Sequence, residues 1–177
     1  MRLGRKSLLY GAHQFLLHPI FVLLAWRRIN RLTGGKLTWK HWLAALIHDW
    51  GYWWASSIDG PSGLLHPAFG AELILKLTGD EWWYEEILCH SRFYAKLLGR
   101  PVSNMCWVDK LSVAIMPSWL WATLAWLTGE GWEYIDNKTY EIHCPMPHTF
   151  PSLITNHQKL REWTMITLKN YYGVEIE

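Results

Sequence analysis

This chain of 177 residues predicts an all-α fold, a compact single-domain helical bundle, and three observations carry that expectation. Apolar residues recur at helical spacing along most of its length, and no convincing pair of alternating strands interrupts them. Half of the residues are hydrophobic and 14 are tryptophan, enough apolar surface for one substantial core and too much for a disordered chain. Glycines, prolines and capping residues punctuate the periodic stretches at intervals suited to helices.

Taken in order, the first element spans residues 7–17. His18-Pro19 makes a new start, because proline in a first turn gives up only an N–H that lacks a helical partner. The helix so begun, PIFVLLAWRRINRL, runs to Gly34-Gly35. Thr38 is placed to cap WKHWLAALIHDW, which stops at Gly51. ASSIDGPSGLL, residues 55–65, is loop by composition. His66-Pro67 repeats the opening device for HPAFGAELILKL, which closes near Gly79. Asp80 caps EWWYEEILCHSRFYAKLL, with Glu81 near the positive end of the helix. A long helix starts at Ser103 and runs through Asp109 to about Leu127, kinked at Pro117. Residues 128–151 form an irregular excursion rich in glycine and proline, with room for a short strand in EYIDNKTYEIH. A last helix covers 152–171.

Composition excludes some classes of function. A formal net charge of +2 gives no strong case for nucleic acid. Cys89, Cys106 and Cys144 have no metal-ligand spacing and cannot all pair, which predicts a reduced, cytoplasmic setting. The N-terminal run MRLGRKSLLYGAHQFLLHPIFVLLAW imitates a signal peptide or an anchor, but His13, Gln14, His18 and Pro19 interrupt it. A second apolar run, 111–127, is short and holds Pro117. Both are expected to be buried helices rather than membrane spans. Trp119, Trp121 and Trp126 offer an apolar surface that suits a homodimer.

The chemistry lies in six polar residues with apolar flanks: FLLHPI, LIHDWG, LLHPAF, ILCHSR and CWVDKL. They are His18, His48, Asp49, His66, His90 and Asp109. An unpartnered imidazole or carboxylate in a core costs several kcal/mol, so six of them must satisfy one another or bind a cation. Four imidazoles and two carboxylates suit a transition-metal site. His13 competes with His18 as the first ligand. His41 is expected at the surface, while His143, His148 and His157 are expected to be ordinary residues.

The order H…HD…H…H…D over residues 18–110 resembles the HD-domain superfamily of metal-dependent phosphohydrolases. The His90-to-Asp109 spacing is similar to that of bacterial HD-type dinucleoside-polyphosphate hydrolases. The resemblance implies an HD-type bundle in which His18, His48, Asp49 and Asp109 hold one metal. Asp49 would bridge to a second metal on His66 and His90. Iron or manganese is favoured in such a nitrogen- and oxygen-rich site, with zinc, nickel and magnesium as other candidates. The implied reaction is attack of a metal-bridging hydroxide on a small phosphorylated substrate, a nucleotide above all. Asp49, Lys110 and Arg92 would serve catalysis, and Lys96, Arg92, Lys110, Tyr52 and Trp53 would contact the substrate. Many HD proteins carry a lysine three residues after the aspartate of the pair; here Tyr52 stands there. Two other functions fit the same sequence. One is the family's mixed-valent di-iron branch, which cleaves C–C or C–P bonds with oxygen. The other is a non-catalytic, Trp-rich binding or membrane-associated protein.

Overall fold

Helix breakers divide the chain more finely than its periodicity does. The computed structural model describes residues 1–136 and 148–173. It is 72% helical, with ten α-helices and no strand among the described residues. α1 (Leu3–Tyr10) ends at Gly11 rather than running to residue 17, and the chain turns before α2 (Leu17–Thr33). His18 and Pro19 fall in the first turn of α2, as expected. α3 (Trp39–Ile47) opens with a capping box in which the Thr38 N–H donates to His41 Nδ1 at 3.0 Å. His41 is therefore half-buried and not a surface residue; its ring lies edge-on between Trp26 and Trp83, at 4.9 and 4.8 Å. A short 3₁₀ helix, Trp50–Trp54, follows.

α4 (Pro67–Thr78) and α5 (Glu81–Leu88) come next, and Asp80 caps α5 by accepting from the N–H groups of Trp82 and Trp83. Here the expected continuous helix breaks. The Ser91 hydroxyl caps a new one, α6 (Arg92–Leu97), so His90 lies in a turn and not inside a helix. α7 (Asn104–Ile115) and α8 (Ser118–Thr128) are separate helices set at 101°, a sharper break at Met116-Pro117 than a kink. α9 (Gly131–Asp136) occupies part of the supposed excursion and turns residues 133–136 into helix where a strand was expected; His143 and Cys144 lie outside the described residues. α10 (Phe150–Tyr172) closes the bundle.

Two main cores result, with a third, small cluster of Leu8, Tyr52, Ala55 and Ile58. The larger joins α2, α3, α4, α5 and α7 through Val22, Ile47, Ile74, Ile87 and Leu111, each worth about 1.5–3 kcal/mol when fully buried. The smaller lies under the α7–α8 elbow around Met116, Trp121 and Leu153. Trp121 is thus core, whereas Trp119 and Trp126 are exposed. His157 ties α10 to the elbow, its Nε2–H donating to the Val113 carbonyl at 2.8 Å and its Nδ1 accepting from Ser118 at 2.9 Å. Among the described residues no single helix is long and apolar enough to cross a membrane; α7 and α8 meet such a test only together, as a bent pair.

Candidate metal centre

Helix ends deliver the six polar residues to one place. α2 brings His18 in its first turn, His48 and Asp49 directly follow α3, His66 immediately precedes α4, the α5–α6 turn holds His90, and α7 carries Asp109. Close packing at the α3–α4 junction depends on two glycines. A Cβ on Gly70 would lie 2.6 Å from the Ile47 carbonyl oxygen, and one on Gly51 would collide with the His66 carbonyl.

Backbone carbonyls aim three of the imidazoles. Nδ1–H of His48 donates to Ala45 O at 3.0 Å, that of His66 to Gly63 O at 2.6 Å and that of His90 to Ile87 O at 2.5 Å. With the proton fixed on Nδ1, each Nε2 turns its lone pair inward, the arrangement that metal-ligating histidines require. The inward nitrogens then crowd together: His66 Nε2 lies 2.9 Å from His90 Nε2, and His18 Nε2 lies 3.2 Å from His48 Nε2. Two lone pairs at that separation repel unless a proton or a metal cation stands between them.

The carboxylates face the same space. Asp49 Oδ2 is 3.2 Å from both His18 Nε2 and His48 Nε2, and Asp49 Oδ1 is 3.3 Å from His66 Nε2. Asp109 Oδ1 is 3.2 Å from His18 Nε2. Despite these approaches, Asp49 Oδ2 and Asp109 Oδ1 are buried with no partner in hydrogen-bonding geometry. His18, His48, Asp49 and Asp109 form one group that could hold a metal ion, and Asp49, His66 and His90 form another. Within each group the donor atoms lie within 4.8 Å of one another. Asp49 belongs to both.

Electrostatics separate the two groups. Burial alone would lower the pKa of His18 and His48, but Asp49 and Asp109 outweigh it, raising His18 and lifting His48 to about 10. Burial would raise both carboxyls, yet the neighbouring imidazoles hold Asp49 and Asp109 well below the usual carboxylate range. In the other group burial, joined by the charges of His66 and His48, lowers His90 to about 3 and leaves it a neutral donor. The fold therefore creates a place that demands positive charge, which protons or a metal cation supply.

The remaining expected residues lie outside both donor groups. Lys110 follows Asp109 on α7 and is half-buried. Arg92 and Lys96 are exposed on α6, the Arg92 guanidinium 5.7 Å from the Trp163 ring. Tyr52 is buried and stacked on His66, with centroids 3.9 Å apart and planes at 9°. Trp53 is on the outer side of the 3₁₀ helix, under the Arg5 guanidinium at 4.7 Å. His13 is not in either donor group, but its ring is 5.4 Å from His18 and 5.2 Å from Tyr52. Its Nδ1 is 3.0 Å from the Ser7 hydroxyl and 3.2 Å from the Tyr134 hydroxyl. Ser7 and Tyr134 as neighbours of the centre had no signal in the sequence, the latter being 121 positions from His13.

The chain matches no family model, no curated protein and no solved structure.

Proposed function

We propose that the protein is an HD-type, metal-dependent phosphohydrolase acting on a nucleotide or another small phosphate ester or anhydride. The observation that carries this reading is Asp49, whose carboxylate is shared by two groups of inward-aimed donors. Two ions would be held, one by His18, His48, Asp49 and Asp109 and one by Asp49, His66 and His90. The nitrogen and oxygen donors favour iron or manganese. Ions bound there would supply Lewis acidity toward phosphoryl oxygens and lower the pKa of coordinated water.

The chain's own residues then have definite tasks. The Asp109 side chain is 21% exposed against 6% for that of Asp49, so substrate reaches the centre from the α7 side. Lys110, next on α7, and Arg92 supply positive charge for the phosphate. Tyr52 uses one ring face to fix the plane of His66. Burial lowers the pKa of His13 to about 4, which makes it neutral near pH 7. With Nδ1 accepting a hydrogen bond from a hydroxyl of Ser7 or Tyr134, the ring would present Nε2–H as a hydrogen-bond donor to a substrate oxygen, without transferring the proton.

The test is phosphate release from a nucleotide panel by protein loaded with iron or manganese, beside chelator-stripped protein and Asp49→Ala. Activity is expected only in the loaded wild type. Full activity after stripping would overturn the assignment. Oxygen uptake with a phosphonate or polyol, and no phosphate release, would transfer the site to the di-iron oxygenase reading.

A further inference from the structure

Away from the metal centre, the outer side of the α2–α3 hairpin is apolar where a water-facing surface should be polar. Leu16, Ile20 and Leu24 recur every fourth residue at the start and along the outside of α2, all exposed, Leu16 by 64%. Trp42 and Leu46 do the same on α3, Trp42 with 60% of its surface in solvent. Two contacts set the helices antiparallel, His18 with His48 at one end and Trp26 with His41 at the other. That register sets Ile20 and Leu24 at the same levels along the hairpin as Leu46 and Trp42. At the His18 end both stripes run into a hollow of about 410 Å³ lined by Leu8, Phe15, Trp50, Trp53, Trp54 and Phe69. Phe15 and Trp50, both in the lining of the hollow, stand one residue before Leu16 and four residues after Leu46. Exposed apolar surface on this scale marks an interaction site.

Charge identifies the partner. From residue 1 to 58 the chain holds Arg2, Arg5, Lys6, Arg27, Arg28, Arg31 and Lys36, besides Lys40, which is paired with Asp80, against a single acid, Asp49, which is buried in the centre. The cations border the apolar face at both ends. At the hollow, Arg5 lies over the Trp53 ring and Arg2 donates to the Trp54 carbonyl at 2.6 Å. At the far end of the α2 stripe stand Arg27 and Arg31, both exposed. A second copy of the chain is a poor match, because two-fold apposition of this face would bring cationic end onto cationic end. An anionic bilayer offers acyl chains to the apolar strip and headgroup phosphates to its ends, and tryptophan and arginine are at home at that boundary.

We propose that the outer face of the α2–α3 hairpin, with the aromatic hollow at its end, docks on an anionic lipid surface, the protein lying on the membrane without spanning it. Attachment of this kind combines buried apolar area with attraction to anionic headgroups, so both parts of the face are needed. The proposal is independent of the chemistry at the metal centre.

Vesicle co-sedimentation of the full chain tests it, with phosphatidylcholine alone and with phosphatidylcholine mixed with phosphatidylserine. Binding to the mixed vesicles is expected to exceed that to the neutral ones by roughly tenfold or more, and to weaken as salt rises. Arg27→Glu with Arg31→Glu, and separately Trp42→Ser, should each reduce binding to the mixed vesicles several-fold. Trp119→Ser, an equally exposed tryptophan on α8, should leave it unchanged. All these side chains are in solvent, so the variants are expected to fold, which circular dichroism checks. No binding, equal binding to both vesicle types, or an equal loss in Trp119→Ser would overturn the proposal. So would a lipid-free dimer, seen by sedimentation velocity, that Trp42→Ser dissociates; the face would then belong to a second copy.

Discussion

The metal centre and the pair of buried glutamates, Glu86 and Glu130, face the same difficulty, a carboxyl group almost without solvent, and meet it in opposite ways. Glu86 Oε1 accepts from the Met105 N–H at 2.6 Å, and Glu130 Oε1 accepts from the Ala12 N–H. Burial dominates at both, and the pKa of each rises to about 7. Asp49 is as deeply buried and Asp109 is only partly exposed, yet imidazoles aimed at them hold their pKa values down. A backbone N–H satisfies a carboxyl without keeping it ionised. Converging imidazoles keep it ionised, which is the condition of a metal ligand rather than of a structural acid.

The largest expected effect follows from that difference. Asp49→Asn should strip metal from both donor groups, while His90→Ala should spare the His18 group and lose only part of the bound metal. Glu86→Gln, in an equally buried position, should keep all of it. Plasma mass spectrometry of the purified proteins measures this directly. Wild-type metal content in Asp49→Asn, or a loss of metal in Glu86→Gln, would break the distinction between the two regions.

A smaller effect concerns stability. Each glutamate has a folded pKa near 7 against 4.5 for the free side chain, so the folded state binds more protons between those values. The stability this provides is fully present below pH 4.5 and is lost as the pH rises through 7. The shift corresponds to about 3 kcal/mol for each residue. Glutamine accepts the same backbone N–H without titrating. Urea denaturation as a function of pH should therefore show Glu86→Gln and Glu130→Gln gaining on the wild type from pH 5 to 8. Parallel curves across that range would mean that the glutamates remain ionised and lie outside this account.

Much of the centre was legible in the sequence because each of its residues interrupts an apolar stretch, and only a shared partner makes such interruptions affordable. His18, His48, Asp49, His66, His90 and Asp109 all reach the centre for that reason. Helix starts at His18-Pro19 and His66-Pro67 were equally readable, since proline acts within its own turn. What the sequence hid is set by distant contacts or by competing local signals. The apolar period continues through Cys89–Ser91, and nothing in it reveals that the Ser91 hydroxyl would turn back to the Phe93 N–H and free His90 from the helix. The right-angled elbow at Pro117 depends on Trp121 and Leu153 meeting beneath it. Glu130 could not be placed beside Ala12 from 118 positions away.

The smallest effect is also the one that bears most directly on what the centre demands. With His48 lifted to about 10, the metal-free chain carries a proton there at neutral pH, drawn by Asp49 and Asp109. A metal ion needs the same Nε2 lone pair, so binding must expel that proton. Affinity should accordingly rise about tenfold per pH unit for each proton released, or about 1.4 kcal/mol. Calorimetric titration with manganese in buffers of different ionisation enthalpy counts the protons. At least one should leave per chain at pH 7, and the count should be the same in Glu130→Gln, whose carboxyl serves the structural region. A count of zero would mean that His48 is already neutral, and the positive charge demanded by the two aspartates would have to come from elsewhere in the fold.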